Sequence, residues 1–116
     1  MISKNYRLKL NKDFERAFKA GRSSYGRFLG VKVVKNDLTF SRFGVILGLK
    51  INKSAVARHF LRRRIFNIVK QVKNELPFLA DYVIIALPDI KLASAIELED
   101  ELKSILFNFS KKKHYD

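Results

Sequence analysis

The sequence lacks the residues on which several classes of protein depend. Its 116 residues include no cysteine, so a disulfide, a thiolate metal site and a cysteine nucleophile are all excluded. No apolar run reaches the length of about 18 residues that a membrane-spanning helix needs. The N-terminus is basic but has no continuous apolar core or small-residue cleavage site, so no secretory signal is predicted. With 47% hydrophobic residues, the chain is expected to form one cytoplasmic domain, residues 1–116.

Acidic residues are also scarce, and they are unevenly distributed. The chain has 24 lysines and arginines against 11 acids, which gives a formal net charge of +13. No acid lies between Asp37 and Glu75, whereas six of the eleven fall from Asp81 to Glu101. A domain this basic repels itself, and a polyanionic partner relieves that repulsion. The charge pattern predicts nucleic acid as the partner, with an anionic membrane surface as the other candidate.

The spacing of apolar residues predicts helices and strands in the order αββαβα, possibly with an extra early strand. Helices are predicted over residues 11–21, 54–73 and 94–110, and strands over residues 27–35, 43–51 and 81–87. Asn11 is expected to cap the first helix and Gly21 to end it. The first two strands are predicted to form a hairpin, and the third to be central and buried on both faces. The fold class is therefore α+β, with helices packed on one small sheet.

The two longer helices are predicted to be amphipathic. At about 100° per residue, the helix capped by Ser54 carries an apolar stripe formed by Ala57, Leu61, Ile65, Ile68 and Val72. Its opposite side is basic and carries His59, Arg62, Arg63, Phe66, Lys70 and Lys73. The core positions predicted for the last helix are Ile96, Leu98, Leu102, Ile105, Leu106 and Phe109.

Arginines dominate the basic side of the long helix. Four of them, Arg58, Arg62, Arg63 and Arg64, fall within seven residues. Guanidinium groups match phosphate oxygens, and neutralising phosphates releases counterions. A helix face that only meets solvent usually mixes Glu with Lys, so this face favours contact with nucleic acid.

Aromatic residues leave two interpretations open. Phe66 is compatible with stacking on a base and with packing against a neighbouring element. Phe14 and Phe18 share one helix face, where core packing is favoured, although aromatics beside a sheet also stack on single-stranded nucleotides.

Residues for independent catalysis are missing from the sequence. His59 and His114 are far apart and have no carboxylate at ligand spacing, so no transition-metal site is predicted. The acidic residues 97–101 are better explained by a solvated helix than by paired catalytic acids. There is no Walker loop, no nucleophile elbow and no Ser/His/Asp pattern. A basic protein of this kind is expected to rely on a partner for its chemistry.

Four segments occur in an order and spacing that are specific to one family. They are FERAFKAGR, SRFGVILGLK, SAVARHFLRRRIF and DYVIIALPD. Together they resemble the protein component of bacterial ribonuclease P, nearly end to end. The third departs from the usual Ala-Val-x-Arg-Asn-Arg-x-Lys-Arg, since His59 and Phe60 follow Arg58. Phe66 stands where the next arginine is usual, and Arg64 stands where an apolar residue is usual.

The resemblance implies a fold and an assembly. The fold is a two-layer α/β sandwich resembling the second domain of ribosomal protein S5, ordered αβββαβα, with a left-handed βαβ crossover. The assembly is one protein with one catalytic RNA, which removes the 5′ leader of precursor tRNA using Mg²⁺ held mainly by the RNA. Contacts with the catalytic RNA are implied for Lys53, Arg58, His59, Arg62, Arg63, Arg64 and Lys70. A leader cleft between the first helix and the sheet is implied for Phe14, Phe18, Phe28 and Lys32.

Three alternatives stay open on the sequence. A ribosomal or other structural RNA-binding protein has the same composition but no preference for leader-bearing tRNA. A peripheral protein on an anionic membrane needs a bulky apolar face open to lipid, whereas the stripe from Ala57 to Val72 is predicted to be core. A self-sufficient nuclease needs a carboxylate cluster for two metals.

Overall fold

The computed structural model of the chain describes residues 3–48, 50–76 and 79–111. His114 lies outside these residues. Within them, the α-helices are α1 (Asn11–Ala20), α2 (Ala55–Val72) and α3 (Ala95–Lys111). The strands are β1 (Arg22–Tyr25), β2 (Leu29–Lys35), β3 (Arg42–Ile46) and β4 (Ala80–Ala86). The order αβββαβα agrees with the prediction, and the early strand is β1.

The strands form one mixed sheet in the order β1-β2-β4-β3. β2 pairs antiparallel with β1 and β4, and β3 pairs parallel with β4 in the register Val45↔Ile84. The predicted hairpin between β2 and β3 is therefore wrong, because β4 lies between them. The central position predicted for β4 is confirmed, and β3, α2 and β4 form a βαβ unit. β3 ends at Ile46, well before residue 51, because its pairing with β4 ends there.

The two faces of the sheet are covered differently. Since side chains alternate along a strand, β2 and β4 send one set toward α2 and α3 and the other toward α1. We call the side under α2 and α3 the closed face; its core includes Leu29, Val31, Phe43, Tyr82 and Ile84. We call the side under α1 the open face; its small cluster consists of Leu8, Ala17 and Val83, with partly buried side chains around it.

The observed helix ends agree only in part with those predicted from the sequence. Ser54 caps α2 as predicted, since its Oγ accepts a hydrogen bond from the amide of Ala57 at 3.2 Å. Gly21 ends α1, and its amide donates to the carbonyl of Ala17 at 2.9 Å. Asn11 is not the N-cap: it is the first helical residue and Leu10 precedes it, without a side-chain cap.

One predicted core position on the long helices is wrong, and the structure decides one that was left open. Phe66, predicted on the basic side with packing against a neighbouring element left open, is only 4% exposed, because the buried surface of α2 extends around the helix to include it and Val69. Ile96, predicted to be in the core, is 74% exposed, because it lies two residues before Leu98 and therefore about 160° around the helix from that buried residue. The other predicted positions of α3 are buried, namely Leu98, Leu102, Ile105, Leu106 and Phe109.

Candidate nucleic-acid interface

The arginines of α2 occupy three sides of the helix. Consecutive helical residues are about 100° apart, so Arg62 and Arg64 lie on opposite flanks with Arg63 between them. Arg62 is partly buried beside β3, whereas Arg63 and Arg64 are exposed. Three further cationic or titratable side chains predicted to contact RNA are exposed on or near α2: Lys53, His59 and Lys70. Arg58 is partly buried, and its guanidinium donates to the carbonyl of Asn52 at 3.4 Å.

A basic groove runs between the N-terminal segment, α1, β3 and α2; we call it the N-terminal groove. Its volume is about 430 Å³, and its lining residues are Lys4, Arg7, Leu8, Lys9, Phe14, Gly44, Val45, Arg62 and Phe66. Four of these residues are cations and none is an acid. The Nε atom of Arg7 is buried and has no hydrogen-bond partner among the described residues. An anionic chain with apolar parts, such as single-stranded nucleic acid, matches this combination.

Backbone pairing with β3 holds the N-terminal segment in place. The amide of Leu8 donates to the carbonyl of Phe43 at 2.8 Å, and Arg7 forms a parallel bridge with Phe43. The Leu8 side chain is buried under α1. Lys4, Arg7 and Lys9 are thereby placed in the groove, although their sequence forms no motif that points to a site.

Aromatic rings lie directly on glycines of the open face. A Cβ added at Gly44 would lie 2.6 Å from ring atoms of Phe14, and one added at Gly30 would lie 2.2 Å from the ring of Tyr25. Phe18 on α1 is 45% exposed. Each glycine therefore leaves the space in which a ring contacts the sheet, and the rings line a shallow cleft.

Lys32 supplies the cation of this cleft. Its Nζ lies 5.6 Å from the ring centroid of Phe18 and 6.0 Å from that of Tyr25, and it donates to Ser23 Oγ at 2.8 Å. Phe14, Phe18 and Lys32 are thus brought to one face, as the prediction of a cleft requires. Tyr25 was missed because it follows a polar stretch, and only the tertiary fold places it on Gly30.

The structure does not bring Phe28 to this cleft. Phe28 is buried in the core of the closed face, and the guanidinium of Arg27 lies 5.1 Å from its ring centroid. The turn that carries it is fixed by Glu101, whose carboxylate accepts hydrogen bonds at 2.8 Å from the amides of Arg27, Phe28 and Leu29. Sequence reasoning grouped Phe28 with Lys32 because they are close along the chain, but they lie on opposite faces.

A buried carboxylate fixes α1 against the sheet. Asp81 accepts two hydrogen bonds from Arg42 at 2.9 and 2.7 Å, one from Arg16 at 2.7 Å and one from Asn36 at 2.8 Å. Burial acts to raise the pKa of Asp81, but these donors outweigh it and hold the pKa below its usual value. The same pairing raises the pKa of Arg42. Because Arg16 belongs to α1, this cluster positions the helix that carries Phe14 and Phe18.

Glu97 and Glu101 of α3 serve structural roles. Ser94 and Glu97 form a capping box, with the Ser94 amide donating to Glu97 at 2.9 Å and the Glu97 amide donating to Ser94 Oγ at 3.1 Å. The hydrogen bonds from Ser94 lower the pKa of Glu97. Glu101 holds the turn before β2, so it is more than the solvated side chain that the sequence predicted. In the described part of the chain, no group of three or more histidines and acids is suited to hold a metal ion.

Comparisons with known proteins agree with one another. The family model described as Ribonuclease P matches residues 2–110. The chain is similar to the Ribonuclease P protein component of Ligilactobacillus salivarius, with 34% identity over 106 residues covering 90% of this chain and 93% of that protein. It is also similar to that of Streptococcus pneumoniae, with 32% identity over 90% of this chain and 85% of that protein. A Staphylococcus aureus RNase P protein mutant with defective mRNA degradation activity has a similar structure, with TM-score 0.83, 28% identity and coverage of 93% and 90%.

Proposed function

This chain belongs to the ribonuclease P protein family, and on that premise we propose that it is the protein subunit that binds the catalytic RNA and the 5′ leader of precursor tRNA. The observation that carries the proposal is the N-terminal groove. It joins Arg62 of the arginine-rich helix to Phe14 of the aromatic cleft, and its lining has four cations and no acid. A positive groove between the two predicted sites suits a protein that contacts two RNAs at once.

The proposed contacts with the catalytic RNA centre on α2. Arg58, Arg62 and Arg63 match the family motif, and His59, Arg64, Lys53 and Lys70 extend the same positive surface. Guanidinium groups on three sides of a helix suit a folded RNA that surrounds the helix more than a flat surface such as a membrane. Among the described helices, none is both long and apolar enough to cross a bilayer.

The proposed leader site is the cleft of the open face. Rings of Phe14, Phe18 and Tyr25 offer stacking surfaces to unpaired bases, and Lys32 offers a cation to a phosphate. Stacking on a ring does not depend on the identity of the base, which suits leaders of varied sequence. Mature tRNA lacks the leader, so these contacts favour precursor over product.

The proposal assigns the hydrolysis to the RNA subunit. Among the described residues, no group of three or more histidines and acids is suited to hold Mg²⁺, so these residues do not fit a resident metal. The required Mg²⁺ is assigned mainly to the RNA. The protein contributes binding and positive charge, in a one-to-one complex in the cytoplasm.

Cleavage of leader-bearing precursor tRNA at low Mg²⁺ tests the proposal. The cognate ribonuclease P RNA is assayed with and without the protein. We expect the protein to stimulate correct 5′ cleavage, and we expect simultaneous Arg58→Ala, Arg62→Ala and Arg63→Ala to abolish that stimulation. The triple variant should also reduce the slope of log affinity against log salt by about 2–3.

A variant of equal charge provides the control. Changing Arg27, Lys91 and Lys103 to Ala also removes three cations, but from the side of the molecule that carries the acids of α3. This control should retain the stimulation. Tight RNA binding without any stimulation of cleavage would instead support a structural RNA-binding protein.

A further inference from the structure

A second groove lies on the other flank of α2, where this helix faces the first turns of α3; we call it the α2–α3 groove. Its volume is about 430 Å³, within the range of pockets that hold small-molecule groups. Its lining includes Phe60, Arg63, Arg64, Asn67, Gln71 and Glu99. Because Arg62 and Arg64 lie on opposite flanks of the helix, this groove is separate from the N-terminal groove.

Phe60 is exposed without a structural reason in the described fold. It is 61% exposed, whereas Phe66 on the same helix is buried in the core. Val56, one turn earlier on the same side of α2, is exposed as well. Neighbouring exposed apolar side chains beside charged ones indicate a binding surface more than chance exposure.

The polar side chains of the groove are available to a ligand. The side chains of Arg63, Arg64, Asn67 and Gln71 form no hydrogen bond or ion pair with any described residue. Glu99 is the single acid, and Lys103 already donates to it at 3.1 Å. The groove therefore combines an aromatic ring, two unpaired guanidinium groups, two amides and a net positive charge.

We propose that the α2–α3 groove binds one unpaired nucleotide of the RNA partner, with its base stacked on Phe60. Arg63 and Arg64 contact the phosphates, and the amides of Asn67 and Gln71 hydrogen-bond to the edge of the base. Stacking at position 60 then takes the place of the phosphate contact that the more usual arginine would make. This inference rests on the proposed RNA partner and specifies how one part of α2 engages it.

A protein partner fits the groove less well. Covering Phe60 with an apolar helix would remove water from Arg63 and Arg64 and leave both charges unpaired, which is costly. Phosphates pair with guanidinium groups while an adjacent base covers the ring. A nucleotide therefore supplies both an anion for the two guanidinium groups and a flat base to cover the ring.

Equilibrium binding to the cognate ribonuclease P RNA tests the stacking. Phe60→Leu removes the ring but keeps an apolar side chain at an exposed position, so the fold is retained. We expect it to weaken binding by about 5- to 150-fold, the range for loss of one stacked base. Phe60→Tyr keeps the ring and should bind like the wild type. The salt dependence should be the same in all three proteins, because no charge changes.

A second measurement reports on the groove directly. The chain has no tryptophan, so Phe60→Trp introduces a single tryptophan, which is excited selectively at wavelengths that the four tyrosines do not absorb. We expect its emission to be quenched when the RNA binds, because a base stacks on the indole. Leu92→Trp, at an exposed position that does not line the groove, is the matched control and should change much less.

The outcomes separate this inference from the proposed function. If wild-type protein does not bind the ribonuclease P RNA at all, the proposed function fails and this inference fails with it. If the wild type binds but Phe60→Leu binds equally well, or Phe60→Tyr is as weak as Phe60→Leu, only the stacking is overturned. An unchanged RNA affinity together with altered self-association in sedimentation would assign the groove to a second copy of the chain and would also overturn it.

Discussion

The two faces of the sheet show how the same strands support both a core and a surface. On the closed face, α2 and α3 bury apolar side chains such as Leu29 and Tyr82 completely. On the open face, a single helix of ten residues leaves Phe18 and Tyr25 exposed and Lys32 partly exposed. The closed face accounts for most of the stability, and the open face keeps rings available for binding. Changes on the two faces should therefore separate stability from RNA binding.

The largest expected loss of stability comes from the cluster that ties α1 to the sheet. Asp81→Ala leaves Arg42 without its main partner, and removing one member of a buried ion pair costs about 3–5 kcal/mol. Urea unfolding measures the loss. Asp89→Ala is the control, because its pair with Arg27 at 3.4 Å is exposed and contributes at most about 1 kcal/mol. Equal losses in the two variants would contradict the role given to Asp81.

The same cluster predicts how stability depends on pH. Because the pKa of Asp81 is lowered in the folded state, its contribution is complete above the unfolded pKa of about 4. The contribution is lost as the pH falls toward the lowered folded value. The wild type should therefore lose stability steeply below about pH 4, and Asp81→Asn should show a shallower decline. Parallel urea titrations of both proteins across this range provide the test, and identical slopes would count against it.

A cavity in the closed face should reduce stability without changing specificity. Leu102 is fully buried, and Leu102→Ala is expected to cost about 2–5 kcal/mol. The folded fraction should still prefer precursor tRNA over mature tRNA by the wild-type ratio, because the cleft lies across the sheet. Denaturant unfolding and competition binding measure the two quantities. A changed preference would show that the faces are coupled.

A methyl group added on the open face should affect both the free energy of unfolding and the affinity for the leader. Gly44→Ala places a Cβ about 2.6 Å from the ring of Phe14, and overpacking of this kind costs about 1–3 kcal/mol. Since the ring must move, affinity for the leader should fall as well. Gly48→Ala is the matched control, because an added Cβ there meets no atom within 4 Å. If both variants bind precursor tRNA equally well, Phe14 does not contribute to the leader site.

The smallest effect on stability is expected for an exposed ring. Phe18→Leu should change the free energy of unfolding by no more than about 0.5 kcal/mol. It should nevertheless lower the preference of the holoenzyme for precursor over mature tRNA by about 5- to 150-fold, since one stacking surface is lost. Leu92→Ala, also exposed but near α3, is the control. An unchanged preference would remove Phe18 from the leader site.

Local patterns predicted the parts of this fold that depend on local contacts. The period of α2, its cap at Ser54 and the apolar run of β4 were all readable, because each follows from neighbouring residues. The sequence did not reveal Asp81 or Glu101 as structural centres. Their partners lie 39 to 74 residues away, and no short pattern records such pairs.

The wrong predictions have the same origin. β2 and β3 are close in sequence and were expected to pair, but β4 from much later in the chain separates them. β1 was uncertain because the sequence RSSY is polar, as an edge strand permits. For Phe66 the sequence left stacking and packing open, and the structure buries it where it lines the N-terminal groove. In the candidate site, the motif arginines were predicted, whereas Lys4, Arg7 and Lys9 were found only through tertiary packing.

The central position of β4 has a consequence for how the chain is made. Among the described residues, β3 pairs with β4, which is translated more than 30 residues later, and otherwise only with the short N-terminal segment. A nascent chain that has reached residue 79 therefore contains three of the four described strands but not the one that pairs along the length of β3. Until residue 86 leaves the ribosome, Phe43 and Val45 lack the strand beside them, and the apolar edge is open to wrong pairing. Assembly of the sheet is thus a late event in synthesis, governed by contacts that are distant in sequence.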